Sequence, residues 1–163
     1  MTVVCNATPL INFAVINRLD VLQAAFGQIV IPQAVYDETT GSGFPGSQVV
    51  LQAITSGWLQ VRPVSNIAIA IPPILDNGER EAINLALETG ERQILLDERE
   101  ARQVAQSFEL QVIGTLGILL LAKNQNIIPQ VRPLLDSMID LAQYWVSAAL
   151  YQQVLQQAGE VVE

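Results

Sequence analysis

Acidic and amide side chains follow several short apolar stretches of this chain, at the points where buried strands would end. Asn6 comes directly after "TVVC", and Asp97 and Glu98 come directly after "ILL". Glu38 lies about two helical turns beyond Pro32, which follows the apolar stretch "QIVI". Ligands of open α/β sheets bind beyond the carboxyl ends of the strands, so these side chains are predicted to share one crevice.

A second group of acids lies in the segment "NGEREAI", where Glu79 and Glu81 occupy the first turn of a predicted helix. Carboxylates in one crevice repel one another and raise one another's pKa, and a divalent cation relieves that repulsion. Mg²⁺ prefers oxygen ligands and commonly uses only one or two carboxylates directly. Such a cation can position a water for attack on phosphorus, so the pattern indicates phosphodiester hydrolysis.

Each of these acids also has a purely structural interpretation. Glu79 and Glu81 could complement a helix dipole, and Asp97 could cap the helix that follows it. Glu38 could be a solvated helix residue. The placement of the whole set at predicted strand ends is what favours a functional site.

The composition limits the chemistry further. The chain has 163 residues, 50% of them hydrophobic and 15% charged, which predicts a single globular domain over residues 1–163. It has no histidine, which excludes Ser-His-Asp triads, Cys-His dyads and the usual zinc sites. The net charge of −8 gives no general attraction for nucleic acid, so an RNA-binding role requires a local basic patch or a metal ion.

The sequence also carries information on the compartment. The single cysteine, Cys5, excludes an internal disulfide and fits a reducing environment. The first residues lack the basic region of a signal peptide, and the apolar runs are shorter than the roughly 20 residues that span a bilayer. We therefore expect a cytoplasmic protein without a membrane segment. The thin charged shell suggests that a partner subunit covers some apolar surface.

Four short apolar stretches are predicted to be strands, each followed by a helix. None alternates cleanly between apolar and polar residues, which is typical of parallel strands buried on both faces. The alternation of strands and helices predicts a three-layer α/β/α domain around a mainly parallel sheet. The predicted strands are residues 2–5, 28–31, 93–96 and 111–113.

The helices are predicted from capping residues and apolar spacing. Thr8 is predicted to cap a helix with Pro9 at its first position, and Asn77 to cap a helix that ends at Gly90. Pro32 is predicted to open another helix. Further helices are predicted over residues 98–108, 115–125, 134–142 and 147–158. The Gly- and Ser-rich residues 39–48 are predicted to form a mobile loop or gate, and residues 65–78 an irregular link.

In this order, the motifs resemble those of PIN-domain proteins, and specifically a branch of VapC-like toxin ribonucleases. The opening "VVCNATPLINF" is similar to the strand-one motif of that family, and "IPQAVYDE" to the segment that places its second acid, here Glu38. "NGEREAINLALETG" is similar to the third segment, with Glu79 as the best match and Glu81 as the alternate. "ILLDEREARQVA" is similar to the fourth, with Asp97 as the best match.

The resemblance covers nearly the whole chain and implies a Rossmann-like PIN domain that cleaves RNA endonucleolytically with Mg²⁺ or Mn²⁺. It implies that Glu38, Glu79 and Asp97 hold the cation, with Asn6 as a neutral fourth member of the catalytic set. It also implies a homodimer and a cognate antitoxin protein. The residues expected to support the catalytic set are Thr8, Glu81 and Glu98.

One residue departs from the family pattern, because Asn6 stands where the first acid is normally aspartate. Asparagine keeps a carbonyl oxygen for a hard cation but removes the negative charge, so cation affinity is expected to fall. This leaves two interpretations, a working ribonuclease toxin and a catalytically weakened PIN-like module that acts by protein binding. Arg99 and Arg102 are candidate phosphate contacts, or could instead pair with Glu98 and Glu100.

Overall fold

The computed structural model describes residues 2–65 and 70–160, and its centre is one sheet of five parallel strands. In space the strands lie in the order β3-β2-β1-β4-β5, so that β1 is in the middle. This confirms the predicted α/β class with a central parallel sheet. The strands are β1 (Thr2–Cys5), β2 (Gln28–Pro32), β3 (Leu59–Arg62), β4 (Gln93–Leu95) and β5 (Gln111–Ile113).

Four of these strands are as predicted from the sequence, but β3 was not expected. Its sequence, "LQVR", mixes apolar and polar residues and lacks the continuous apolar run of the central strands. β3 is an edge strand, paired only with β2 in the sheet, so one buried residue, Leu59, is enough to anchor it. Edge strands need no apolar run on both faces, which is why the pattern missed it.

Helices cover both faces of the sheet. The described helices include two, α2 and α4, that the sequence did not predict. None of the described helices is long and apolar enough to cross a membrane. They are α1 (Ala7–Val15), α2 (Leu19–Phe26), α3 (Gln33–Thr40), α4 (Ser47–Ser56), α5 (Asn77–Thr89), α6 (Arg99–Ser107), α7 (Thr115–Asn124), α8 (Arg132–Leu141) and α9 (Ala148–Gln157).

Alternate residues of the central strand supply two separate cores. Val3 and Cys5 point to one face, where they pack with apolar residues of α1, α2, α7, α8 and α9. Val4 points to the other face and packs with Ile83 of α5 and Ala105 of α6. Since both faces are covered, the central strands β1, β2 and β4 are mainly apolar, and the fold has the three predicted layers.

Two of the predicted helix caps are wrong. α1 begins at Ala7, with Asn6 rather than Thr8 at the N-cap position. α5 includes Asn77 as its first residue, and the side chain of Asp76 caps it by accepting a hydrogen bond from the backbone of the third residue. The predicted end of α5 is confirmed, because Gly90 has a φ of +76°, a left-handed conformation that favours glycine.

The two segments predicted to be irregular are only partly so. α3 continues to Thr40 and α4 begins at Ser47, so residues 41–46 alone connect the two helices. Of the predicted link over 65–78, residues 66–69 lie outside the part of the chain that the structure describes. Residues 70–76 contain neither helix nor strand, in agreement with the prediction.

The register of the sheet brings the predicted site residues to one edge. Cys5 of β1 pairs with Leu95 of β4, and Leu95 pairs with Ile113 of β5. The backbone continues this pairing beyond the strands, since the amide of Asn6 donates to the carbonyl of Leu95 at 2.9 Å. Asn6 and Asp97 therefore follow neighbouring strands at the same carboxyl edge, where α/β proteins bind ligands.

The carboxylate of Glu160 connects the described end of the chain to α7 and to the start of α8. Glu160 accepts hydrogen bonds from the backbone amides of Val131 and Arg132, at 2.7 and 3.0 Å, and from Lys123 Nζ at 3.1 Å. Its side chain is 7% exposed. These donors stabilise the charged form and hold the pKa of Glu160 below its ordinary value despite the opposing effect of burial. Glu160 thus links the end of α9 to the start of α8.

Replacing Glu160 by glutamine is expected to lower the free energy of unfolding by about 1–2 kcal/mol at pH 7, because charged hydrogen bonds are lost. A carboxyl group with a depressed pKa in the folded state contributes stability above its unfolded pKa, and that contribution disappears as the pH falls through the folded pKa. Urea unfolding at several pH values measures the difference in free energy of unfolding between the wild type and Glu160→Gln. The difference should begin to shrink near the ordinary glutamate pKa of 4.5 and vanish only below the lower pKa of the folded state, whereas the exposed control Asp140→Asn should have little effect throughout.

Candidate active site

The side chain of Asn6 is buried and held in one orientation. It is 3% exposed, and its Nδ2 donates to Oε2 of Glu98 at 3.3 Å. A carboxylate only accepts hydrogen bonds, so the NH₂ group of Asn6 must face Glu98 and its carbonyl must face the other way. That carbonyl oxygen, Oδ1, is buried and has no hydrogen-bond partner among the described residues.

Glu98 is itself fixed by the first helix. Thr8 Oγ1 donates to Glu98 Oε1 at 2.5 Å, so both carboxylate oxygens accept hydrogen bonds from the segment that follows β1. Glu98 occupies the N-cap position of α6 but makes no capping hydrogen bond there. Thr8 and Glu98 therefore act on Asn6, and not on the ends of their own helices.

Glu38 on α3 lies on the carbonyl side of the Asn6 amide, opposite Glu98. A Cβ atom on Gly78 would lie 3.3 Å from Asn6 Oδ1 and would collide with Oε1 of Glu38. The two oxygens therefore flank Gly78 in the first turn of α5. Glycine at this position lets the Glu38 carboxylate enter the space that any other side chain would occupy.

The electrostatics of this space suit a cation. Burial of the carboxyl group raises the pKa of Glu38, and the carboxylates of Asp76, Glu98 and Glu79 raise it further. The Asn6 amide oxygen, which no described residue satisfies, and the Glu38 carboxylate are both hard oxygen ligands of the kind that Mg²⁺ prefers. The residues present therefore fit a divalent cation between Asn6 and Glu38.

Glu79 lies in the first turn of α5 as predicted, whereas Glu81 is the fifth residue of α5 and lies beyond that turn. Glu79 forms a capping box with Asp76, accepting from the Asp76 amide at 2.9 Å while its own amide donates to the Asp76 carboxylate at 2.8 Å. Burial raises the pKa of Glu79 more than this hydrogen bond lowers it. Glu81 accepts from the backbone amide of Ala34 at 3.0 Å and thereby connects α5 to the start of α3.

Asp97 is held by the start of α7. Its Oδ1 accepts from the amide of Thr115 at 2.8 Å and from the hydroxyl of Tyr144 at 3.4 Å, and its Oδ2 accepts from Thr115 Oγ1 at 2.6 Å. A Cβ atom on Gly114 would lie 2.8 Å from Oδ1, so glycine is needed for this approach. Burial raises the pKa of Asp97 despite these donors. Asp97 does not cap α6, so that interpretation is wrong.

Several residues that build this edge were not predicted from the sequence. Asn12 Nδ2 donates to Thr115 Oγ1 at 3.0 Å, and both side chains are buried, so α1 and α7 together orient Asp97. A polar residue inside the apolar helix "PLINFAV" was the available signal for Asn12. Gly78 and Tyr144 gave no signal, because their roles depend on which side chains approach them in three dimensions.

The structure brings the predicted residues together only in part. Asn6, Glu38 and Glu98 converge with Thr8, whereas Asp97 is engaged with α7 on the same edge. Within residues 2–65 and 70–160, no group of three or more acidic or cysteine side chains is arranged to hold a metal ion. The ligand set Glu38, Glu79 and Asp97 thus stays a prediction.

The two arginines predicted near the acids are both exposed on α6. Neither Arg99 nor Arg102 forms an ion pair in the described part of the chain, so pairing with Glu98 and Glu100 is not observed. Arg102 lies near enough to lower the pKa of Tyr144, although burial and Asp97 raise that pKa overall. Arg102 is thus a positive charge beside Asp97.

Comparison with known protein families identifies the family of this chain. A family model described as a PIN domain, DUF3368, matches residues 2–160. Searches of curated proteins and of solved structures gave no significant match. PIN domains are generally nucleases and typically use divalent metals. With a match over almost its full length, and with the parallel sheet described above, the chain belongs to the PIN-domain family.

Proposed function

We propose that this protein is a metal-dependent endoribonuclease, the toxin component of a toxin–antitoxin pair, acting in the cytoplasm as a homodimer. The observation that carries the proposal is the buried carbonyl oxygen of Asn6, which has no hydrogen-bond partner among the described residues and lies with the Glu38 carboxylate beside Gly78. This pair lies at the carboxyl edge of the sheet in a fold whose members are generally nucleases. The antitoxin and the homodimer rest on the family resemblance.

Asn6 and Glu38 would hold Mg²⁺ or Mn²⁺, with Asp97 and Glu79 as the further ligands that the family pattern predicts. When bound, the cation would activate water and stabilise charge on the scissile phosphate. The other residues named here act on the ligands. Glu98 and Thr8 orient the Asn6 amide, and the residues of α7 position Asp97.

The proposal is tested with single-stranded RNA oligonucleotides incubated with the protein and Mg²⁺, Mn²⁺ or a chelator. Cleavage should require the cation and should be lost in Asp97→Asn. A chelator-insensitive cleavage, or equal cleavage by Asp97→Asn, would point to a contaminating nuclease and would remove the basis of the proposal.

A second candidate function is a catalytically weakened PIN module that works by protein binding. The neutral Asn6 favours it, as does the absence of a preassembled group of three acids within the described residues. This candidate predicts no cleavage of any RNA and no calorimetric binding of Mn²⁺. Micromolar Mn²⁺ binding together with cleavage would exclude it.

Replacing Asn6 by aspartate tests how the amide is held. In the wild type Nδ2 donates to Glu98, and in the variant a buried carboxylate would meet the half-buried carboxylate of Glu98 at that distance. In a chelator, we expect the free energy of unfolding to fall by about 1–3 kcal/mol. Added Mn²⁺ should restore much of the loss, because a cation that binds only the folded state stabilises it.

The control for this experiment is Asn6→Ala, which removes the amide without adding a charge. Its loss of stability relative to the wild type should be larger with Mn²⁺ than in chelator, because it lacks the oxygen that would ligate the cation. If Asn6→Asp is as stable as the wild type in chelator, Glu98 does not hold the amide as described.

A further inference from the structure

A large cavity lies beside Asp97, on the side of the edge away from Glu38. Its volume is about 690 Å³, within the roughly 300–1,000 Å³ typical of small-ligand sites. The residues of α7 and α9 supply apolar walls, and the segment between α8 and α9 supplies two adjacent aromatic residues, Tyr144 and Trp145. The cavity therefore opens at the candidate active site itself.

Trp145 is the feature of this cavity that packing does not explain. Its side chain is 82% exposed, although tryptophan is costly to leave in water. Tyr144 beside it is half-buried and hydrogen-bonded to Asp97, so its position is fixed by the site. An exposed indole next to a fixed catalytic carboxylate is a surface on which a flat ligand could stack.

The charges around the cavity indicate the kind of ligand. Asp97 and Arg102 both line it, and Arg102 forms no ion pair with the described residues. Arg102 is thus a cation available to a phosphate at a site that is otherwise acidic. Because the net charge is −8, the chain lacks the electrostatic attraction that usually contributes to RNA affinity. Base stacking must therefore supply a larger share of the binding free energy.

We propose that this cavity is a subsite for an unpaired nucleobase of the RNA substrate, with the base stacked on Trp145 and the adjoining phosphate near Arg102. The subsite rests on the proposed ribonuclease function and adds a determinant of substrate binding to it. It selects single-stranded RNA, because a base held in a helix cannot reach the indole. Stacking tolerates different bases, so the subsite contributes affinity more than sequence specificity.

The chain offers a direct optical test, because Trp145 and Trp58 are its two tryptophans. In Trp58→Phe, all tryptophan fluorescence comes from Trp145. We expect a single-stranded RNA oligonucleotide to quench it in the presence of a chelator, when no cleavage occurs. An abasic oligonucleotide of equal length should leave it unchanged, and Trp145→Phe, which keeps Trp58, should show no quenching by either.

Steady-state cleavage gives the second readout. Trp145→Ala should raise KM by about 5- to 100-fold, the loss expected for one stacked base, with little change in kcat. Trp145→Phe should recover part of the loss because it keeps a ring. The control Leu141→Ala removes another exposed apolar side chain, 61% exposed and not among the residues that line the cavity, and should leave KM unchanged.

The possible outcomes separate this inference from the proposed function. If the wild type cleaves RNA but Trp145→Ala has the same KM and Trp145 is not quenched, the subsite is wrong and the function stands. Quenching without any cleavage supports the subsite and contradicts the function. Absence of both contradicts both. If Trp145→Ala converts a dimer to a monomer in sedimentation, the cavity is a self-association surface and the subsite is wrong.

Discussion

Replacing Glu38 by glutamine is expected to lower kcat for RNA cleavage by about 100-fold or more, the scale on which removal of a site carboxylate acts in metal-assisted hydrolysis. The substitution keeps the shape of the side chain but removes the charge next to Asn6 Oδ1. It should not destabilise the fold, because burial and the neighbouring carboxylates Asp76 and Glu98 already disfavour the charged form of Glu38. Single-turnover cleavage and urea unfolding measure the two effects.

The matched control is Asp37→Asn on the same helix. Asp37 is exposed and accepts a hydrogen bond from Gln33, one turn earlier, so it makes no contact with the site. Its cleavage rate should equal that of the wild type. If Glu38→Gln and Asp37→Asn cleave equally well, Glu38 has no catalytic role and the assignment of this edge as the active site fails.

Replacing Gly78 by alanine is expected to abolish cleavage while leaving the protein at least as stable. The added methyl group would collide with Glu38 Oε1 and fill the space beside Asn6 Oδ1. Alanine is a better helix former than glycine by up to about 1 kcal/mol, and Gly78 lies inside the first turn of α5. Loss of activity with retained stability would separate an effect on the site from an effect on folding.

Gly41→Ala is the control for this substitution. Gly41 has a φ of −60°, and a Cβ atom there would make only an ordinary contact of 3.6 Å with the carbonyl of Asp37. Both cleavage and stability should be unchanged. Mn²⁺ binding by calorimetry adds a further check, because Gly78→Ala should bind Mn²⁺ more weakly and Gly41→Ala should not. Full cleavage by Gly78→Ala would show that the space is not used.

The sequence predicted the sheet edge well because its signals are local. An apolar strand that stops at Asn6 or Asp97 can be recognised without knowing its neighbours, and the parallel register follows from the alternation with helices. β3 was missed because an edge strand needs only one buried residue. Thr8 was misread as a cap because its hydroxyl bonds a carboxylate 90 residues away, which no local pattern reveals.

The part of the site that could not be predicted depends on long-range packing. Three contacts of the site join segments that are far apart in the chain. They are those of Glu98 with Asn6, of Glu38 with Gly78 and of Thr115 with Asp97. For the same reason the sequence could not show whether Asn6 merely weakens cation binding or is held by a neighbour in an orientation that suits a cation. The structure gives the amide a fixed orientation, with Glu98 on its nitrogen side and Gly78 and Glu38 on its oxygen side.

We propose that the Asn6 site is competent as it stands, with a neutral oxygen positioned by Glu98. The most direct test is single-turnover cleavage of single-stranded RNA by the wild type and by Asn6→Asp, each with Mn²⁺ and with a chelator. We predict that the wild type cleaves RNA with Mn²⁺ and not in chelator. A wild type that is inert under all conditions, beside an Asn6→Asp variant that cleaves with Mn²⁺, would contradict the claim and identify a decayed nuclease.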